Sequence, residues 1–169
     1  KGFLLSKLAF QENSIIANFY TQNHGKCSGI IYGATSKKIK NYLEKGNELH
    51  IEYNSKNENA LGYFKVEIIN PYTSKFFSNK IKLNCIVSTL ELIKILTVEG
   101  QENIRIYKLI DDLFILLNKE NWSYEYVFLE LNLLKFIGFD LNIKDYCKHE
   151  IADNYKRYYI ENSQKKMIV

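Results

Sequence analysis

The chain has 169 residues, of which 46% are hydrophobic and 25% charged, with a net charge of +4. That is enough apolar material for one large domain or two small ones, and 13 Tyr, 10 Phe and a single Pro exclude a low-complexity disordered chain. No apolar run approaches the ~18 residues of a membrane-spanning helix, the opening KGFLLSKLAF is too short and alternating for a signal peptide, and Cys27, Cys85 and Cys147 are too scattered for a disulfide framework. A soluble cytoplasmic protein is expected.

The charge is unevenly spread. Residues 1–80 carry 11 Lys and 6 Glu, whereas residues 81–169 carry 12 Lys and Arg against 13 Asp and Glu. Between Glu12 and Glu44 there is no acidic residue, while Lys26, Lys37, Lys38 and Lys40 fall there. This points to a first half that faces a polyanion, the alternative being an ordinary solvated basic loop.

In chain order, GFLLSKL and SIIANFY read as strands, and CSGIIY follows the turn signal at Asn23-His24-Gly25. NELHIEY alternates, with Leu49, Ile51 and Tyr53 on one face and Glu48, His50 and Glu52 on the other; LGYFKVEII is a fifth strand. Five strands with no long helix among them predict a small barrel. Between the third and fourth strands lies a basic loop holding Lys37, Lys38 and Lys40. Gly33 there is expected to take a positive φ or form a bulge.

After Pro71 the period becomes helical. Residues 76–96 place Ile81, Cys85, Leu92 and Ile95 on one stripe, and residues 102–120 place Ile106, Leu109, Ile110, Leu113 and Leu117 on another. A third helix, 122–138, carries Tyr126, Leu129, Leu133 and Phe136 on one side and Gly138 as its stop. The short VEGQ and NKEN links make neighbours antiparallel. The two parts meet near Asn70–Ser74. The last stretch, DYCKHEIADNYKRYYIENSQKKMIV, loses the helical period and reads as a strand or loop excursion. The missing initiator Met and the lack of a closing element at Val169 suggest residues before and after this sequence.

No enzyme is expected. His24, His50 and His149 sit in no nucleophile or acid–base pattern, and the phosphate-loop and nucleophile-elbow motifs do not occur. Asp111 and Asp112 are adjacent on a helix, about 100° apart, and read as solvated carboxylates. Cys147-x-His149 is half a metal site at most, so no metal and no cofactor are expected. A barrel of this kind binds single strands through a basic groove and stacking aromatics. Lys26, Lys37, Lys38 and Lys40 are the candidate phosphate contacts, and Tyr32, Tyr20 and Tyr42 the candidate stacking groups. Phosphate contacts do not distinguish DNA from RNA, so an RNA-binding factor of the ribosome or tRNA stands beside a DNA binder, and a protein-interaction adaptor beside both.

The segments GFLLSK, ENSIIANFYTQNHGK, GIIYGATSKK, LEKGNELHIEY and LGYF, with FLELNLLKFIGFDLNIKDYC later, stand in an order that resembles the RecO family of bacterial DNA-repair proteins. The resemblance implies an α+β protein: a five-stranded OB-fold barrel over 1–72, then an α-helical domain over 73–169. It implies a recombination mediator without turnover that binds single- and double-stranded DNA and anneals strands. With RecR it would load RecA onto DNA coated by the single-strand-binding protein SSB, whose acidic C-terminal tail it would also bind. Lys37, Lys38 and Lys40 follow the family's Gly-Ala step into its basic segment. Arg105 and Lys108, three apart on a helix, are candidates for the SSB tail. Many family members carry a four-Cys zinc module near 145–169. Here Cys147 matches the first ligand but Glu150 stands at the second, so a degenerate, zinc-free module is expected.

Overall fold

The computed structural model describes residues 1–55 and 61–139, and the backbone of 147–152, 155–162 and 165–168. Five strands, β1 (Gly2–Gln11), β2 (Ser14–Thr21), β3 (Gly25–Tyr32), β4 (Glu48–Asn54) and β5 (Tyr63–Asn70), close into a barrel in the order β1-β2-β3-β5-β4. The β3–β5 pair is parallel and the others antiparallel, with β1 meeting β4 at Gly2↔Leu49 and Phe3↔Glu48. This is the OB-fold expected from the sequence, and with the helices that follow it the protein is α+β.

Alternation decides what fills the barrel. Leu4, Ala17, Phe19, Ile31, Leu49 and Phe64 are buried together inside, with Phe19 and Phe64 edge to face at 5.2 Å. The run Phe3-Leu4-Leu5 is apolar throughout because β1 is covered on both sides: Leu4 points into the barrel, while Phe3 and Leu5 join the helical core.

The link between β3 and β4 is not an open loop, as the sequence suggested, but contains a short helix, α1 (Lys37–Tyr42). Gly33 adopts φ 67°, Ser36 caps the helix by accepting from Ile39 N at 3.4 Å, and Ile39, Tyr42 and Leu43 pack against the barrel core. Those apolar residues at a three-four spacing turn the three lysines outward.

After a 3-10 turn at Thr73–Phe76 come α2 (Lys80–Leu96), α3 (Ile104–Leu116) and α4 (Trp122–Phe136). Asn79 and Asn103 cap α2 and α3 through their side chains, and Gly138, at φ 96°, follows α4. The α3 stripe is buried as expected, from Ile106 to Leu117, and α4 buries Leu129 and Leu133. The α2 stripe is corrected in part: Cys85 and Leu92 pack against the helical core as expected, but they are not its centre. Ile86, Thr89, Leu90 and Ile93 face inward, while Ile81 and Ile95 are 65% and 72% exposed. The apolar residues of α2 spread beyond a single face, so periodicity alone does not select the buried stripe. Polar contacts accompany the buried one: Thr89 Oγ1 lies 3.1 Å from Tyr126 Oη, and Lys82 Nζ donates to the Leu117 carbonyl at 2.5 Å.

The strand-to-helix change falls at Pro71, yet residues Lys1–Ile137 form one compact unit. Phe3, Leu5 and Tyr20 of the barrel share a hydrophobic cluster with Ile86, Leu90, Ile110 and Phe114 of the helices. The second unit, Gly138–Val169, contains an antiparallel meander of β6 (Cys147–Ala152), β7 (Tyr155–Asn162) and β8 (Lys165–Ile168), so this end is strand rather than helix.

One glycine joins barrel to helices. Gly25, at φ 61°, starts β3, and a Cβ there would lie 1.8 Å from the Gln101 carbonyl oxygen. Beside it Gly100 N donates to the Lys26 carbonyl at 2.8 Å. Gly25→Ala is expected to cost about 2–3 kcal/mol in chemical denaturation, since both the backbone strain and the clash must be relieved. An unchanged midpoint would mean that the α2–α3 link yields freely.

Candidate nucleic-acid interface

Lys37, Lys38 and Lys40 are exposed on α1, and none of them forms an ion pair with another described residue. Tyr32, at the end of β3, is 57% exposed, and its ring lies 6.0 Å from that of Tyr63 at the start of β5. Basic and aromatic groups therefore leave the same end of β3. That pairing is the arrangement a single-strand site requires.

Other candidates are occupied within the fold. Lys26 Nζ donates to the carbonyls of Lys94 at 2.9 Å and Thr97 at 2.5 Å, so its charge sits on the C-terminal end of α2. Tyr20 is fully buried and donates to the Asn103 carbonyl at 3.4 Å. Tyr42 packs against the barrel core. Lys26 and Tyr20 are positioned by partners far along the chain, a signal no local pattern carries.

Glu48, read from alternation as an outward residue, is buried. A register shift between Glu48 and Leu49 turns it toward the helices, where its carboxylate accepts from Tyr107 Oη at 2.8 Å and from Asn70 Nδ2 at 2.6 Å. Asp111, expected to be solvated, is half-buried and accepts from Tyr72 Oη at 3.0 Å; Asp112 is exposed. Glu48 thus ties β4 to α3, and Asp111 ties α3 to the start of the 3-10 turn.

Burial pushes the phenols of Tyr20 and Tyr72 up to about 12 from an ordinary 10, Tyr72 further through its bond to Asp111. Tyr107 and Tyr126 are raised by the same cause, reinforced by Glu48 and Glu130. The fold favours the neutral phenol, so this stabilisation is complete below pH 10 and is lost as pH rises through the folded values. Melting temperature is expected to hold to about pH 10 and then fall steeply toward pH 12. A flat profile across that range would contradict these environments.

On the helices, Arg105 and Lys108 are exposed on α3, and the Arg105 guanidinium lies 5.9 Å from the Phe136 ring centre. Arg105, but not Lys108, lines a cleft with Gln22, Asn23, Glu102, Asn103, Ile104 and Phe136. Among the described residues no group of three His, Cys, Asp or Glu could hold a metal; the side chains of Cys147, His149 and Glu150 lie outside them. No described helix is long and apolar enough to cross a membrane.

A closed five-stranded barrel fused through a shared core to a helical segment defines an α+β protein built on an OB-fold. Family models match in that order: Recombination protein O N terminal over residues 1–72, and Recombination protein O C terminal over residues 80–165. The chain belongs to the RecO family. It is similar to proteins named DNA repair protein RecO, at 32% identity over 151 residues in Rickettsia typhi and 31% over 142 in Rickettsia africae and in Rickettsia rickettsii. These alignments cover 89%, 84% and 84% of this chain and 64%, 60% and 60% of the relatives. The chain thus spans rather less than two thirds of the length of the relatives it matches.

Proposed function

We propose that this chain is a DNA-binding recombination mediator of DNA repair, acting in the cytoplasm at the nucleoid and without enzymatic turnover. The observation that carries the reading is the exposed set Lys37, Lys38 and Lys40 on α1, beside Tyr32 and without an acidic partner among the described residues. Lysines placed there neutralise phosphates and release counterions. Screening the repulsion between two strands lets them approach and pair, which is the physical content of annealing. Family membership supports the same role, and RecR and the recombinase-loading step on SSB-coated DNA follow as its partners and outcome. For the acidic SSB tail, Arg105 supplies a cation next to the Phe136 ring in a cleft that also holds Glu102, and exposed Lys108 follows three residues along α3. Lys26 is left out of the DNA contact because its ammonium is bonded to α2. The test is a salt titration of a labelled oligo-dT strand with the wild type and the variant lacking the three α1 lysines.

A further inference from the structure

Helix α1 has six residues, too few to hold together without tertiary support, so its lysines are fixed from outside it. Ile39 and Tyr42 seat it on the barrel, and its far end meets a tightly held link. Lys45 of that link pairs with Glu91 of α2 at 2.5 Å, and its carbonyl accepts from Thr73 Oγ1 at 2.5 Å. Gly46 N donates to the Leu4 carbonyl at 2.8 Å, Leu4 N to the Asn47 carbonyl at 3.1 Å, and Asn47 N to the Glu44 carbonyl at 3.1 Å. The backbone of Asn47 is thus settled without its side chain. That side chain, in a residue only 1% exposed, reaches two other elements. Its Nδ2 donates at 3.1 Å to the carbonyl of Tyr42, the last residue of α1. Its Oδ1 accepts at 3.3 Å from Thr73 N, in the 3-10 turn that opens the helical part. The final carbonyls of a helix have no partner inside it, and a buried amide left unbonded is costly, so each arm answers a need.

Given the DNA-binding reading above, on which this inference rests, we propose that Asn47 is the positioning residue of the DNA contact, fastening the end of α1 to the 3-10 turn so that Lys37, Lys38 and Lys40 stand in place for phosphates. Lys7 Nζ donates to the next carbonyl, that of Leu43, and closes the same end from β1. At its near end the segment is tied to the β1–β2 turn, where Ala34 N donates to the Asn13 carbonyl at 3.0 Å. Asn13 is exposed whereas Asn47 and Thr73 are buried, so the far end is the firmer anchor. A strand that meets lysines already in place does not have to order them, and the entropy saved appears as affinity. The number of phosphates neutralised depends on the lysines alone. Asn47 therefore governs how tightly the contact binds, and the lysines how steeply it responds to salt.

The experiment measures labelled oligo-dT binding across a salt series for wild type, Asn47→Ala, Asn47→Asp, the triple α1 lysine variant and Ile93→Val, a stability control in the α2 core. Asn47→Asp is isosteric, keeps the acceptor for Thr73 N and loses only the donor to Tyr42, so it carries the test if Asn47→Ala does not fold. Both Asn47 variants are expected to bind roughly 10-fold more weakly, the cost of ordering about one residue's backbone, with the salt slope of the wild type. In both, trypsin should cut after Lys37, Lys38 and Lys40 several-fold faster while cleavage elsewhere changes little, as mass spectrometry of the fragments would report. If the Asn47 variants bind like wild type while the lysine variant does not, DNA binding stands and the positioning role is overturned. An equal loss of affinity in Ile93→Val also overturns it, since general stability would then account for the effect. Wild type that does not bind oligo-dT removes the DNA-binding reading, and this inference with it.

Discussion

Replacing Lys37, Lys38 and Lys40 together with alanine is expected to flatten the salt dependence of oligo-dT binding by about two units in log K against log salt, at roughly 0.7 per phosphate on a single strand. The same relation gives a loss of about 100-fold at 0.1 M salt. The prediction is specific to the charges, because all three side chains are exposed and none pairs with a described acidic residue. Stability should barely move: the packing of α1 resides in Ile39 and Tyr42, and its cap in Ser36. Fluorescence anisotropy across a salt series measures both slope and affinity, and a thermal melt checks the fold. A variant with the wild-type slope would return the lysines to the role of a solvated helix face, and the DNA contact would have to lie elsewhere.

Phe114→Ala should be the most damaging single truncation in the first unit, lowering stability by about 3–5 kcal/mol. Phe114 is fully buried, stacks on Tyr72 at 4.6 Å and 8°, and stands 6.2 Å from Phe3 and 6.4 Å from Phe76. Its removal opens a cavity where β1, the 3-10 turn and α3 converge, and none of these can close it without breaking barrel or helix. Urea denaturation followed by circular dichroism should show a midpoint lower by about 2 M for a slope near 2 kcal/mol/M. Ile115→Ala, one residue along and exposed, is the control and should change stability by less than about 0.5 kcal/mol. Comparable losses at both positions would mean that the site is less central than its contacts imply.

The strands were legible because one face of each is buried, so the two-residue period survives in Phe19, Ile31 and Leu49. The α3 stripe was legible for the same reason at the helical period. α1 has only six residues, and its lysines masked the apolar spacing of Ile39, Tyr42 and Leu43. In α2, apolar residues spread beyond one face, so the helical period did not select Ile86 and Leu90 over Ile81 and Ile95. Lys26, Tyr20 and Glu48 are each settled by a partner 59 or more positions away, on α2 or α3 or its cap. The candidate site divides the same way: the α1 lysines and Tyr32 are visible in one short segment, whereas Tyr63 comes beside Tyr32 only through the pairing of β3 with β5.

The cluster that joins Phe3, Leu5 and Tyr20 to Ile86, Ile110 and Phe114 bears on how this chain can change over generations. Two family models divide it at residues 72 and 80, as though the halves were interchangeable parts. A chimaera carrying this barrel on the helices of a relative 32% identical would set Tyr20 and Phe3 against a foreign surface, and Glu48 against whatever stands at Tyr107. Such grafts should express poorly unless the contact residues travel with the barrel. A change of shape in β1 would have to be answered in α3 for the shared core to stay closed.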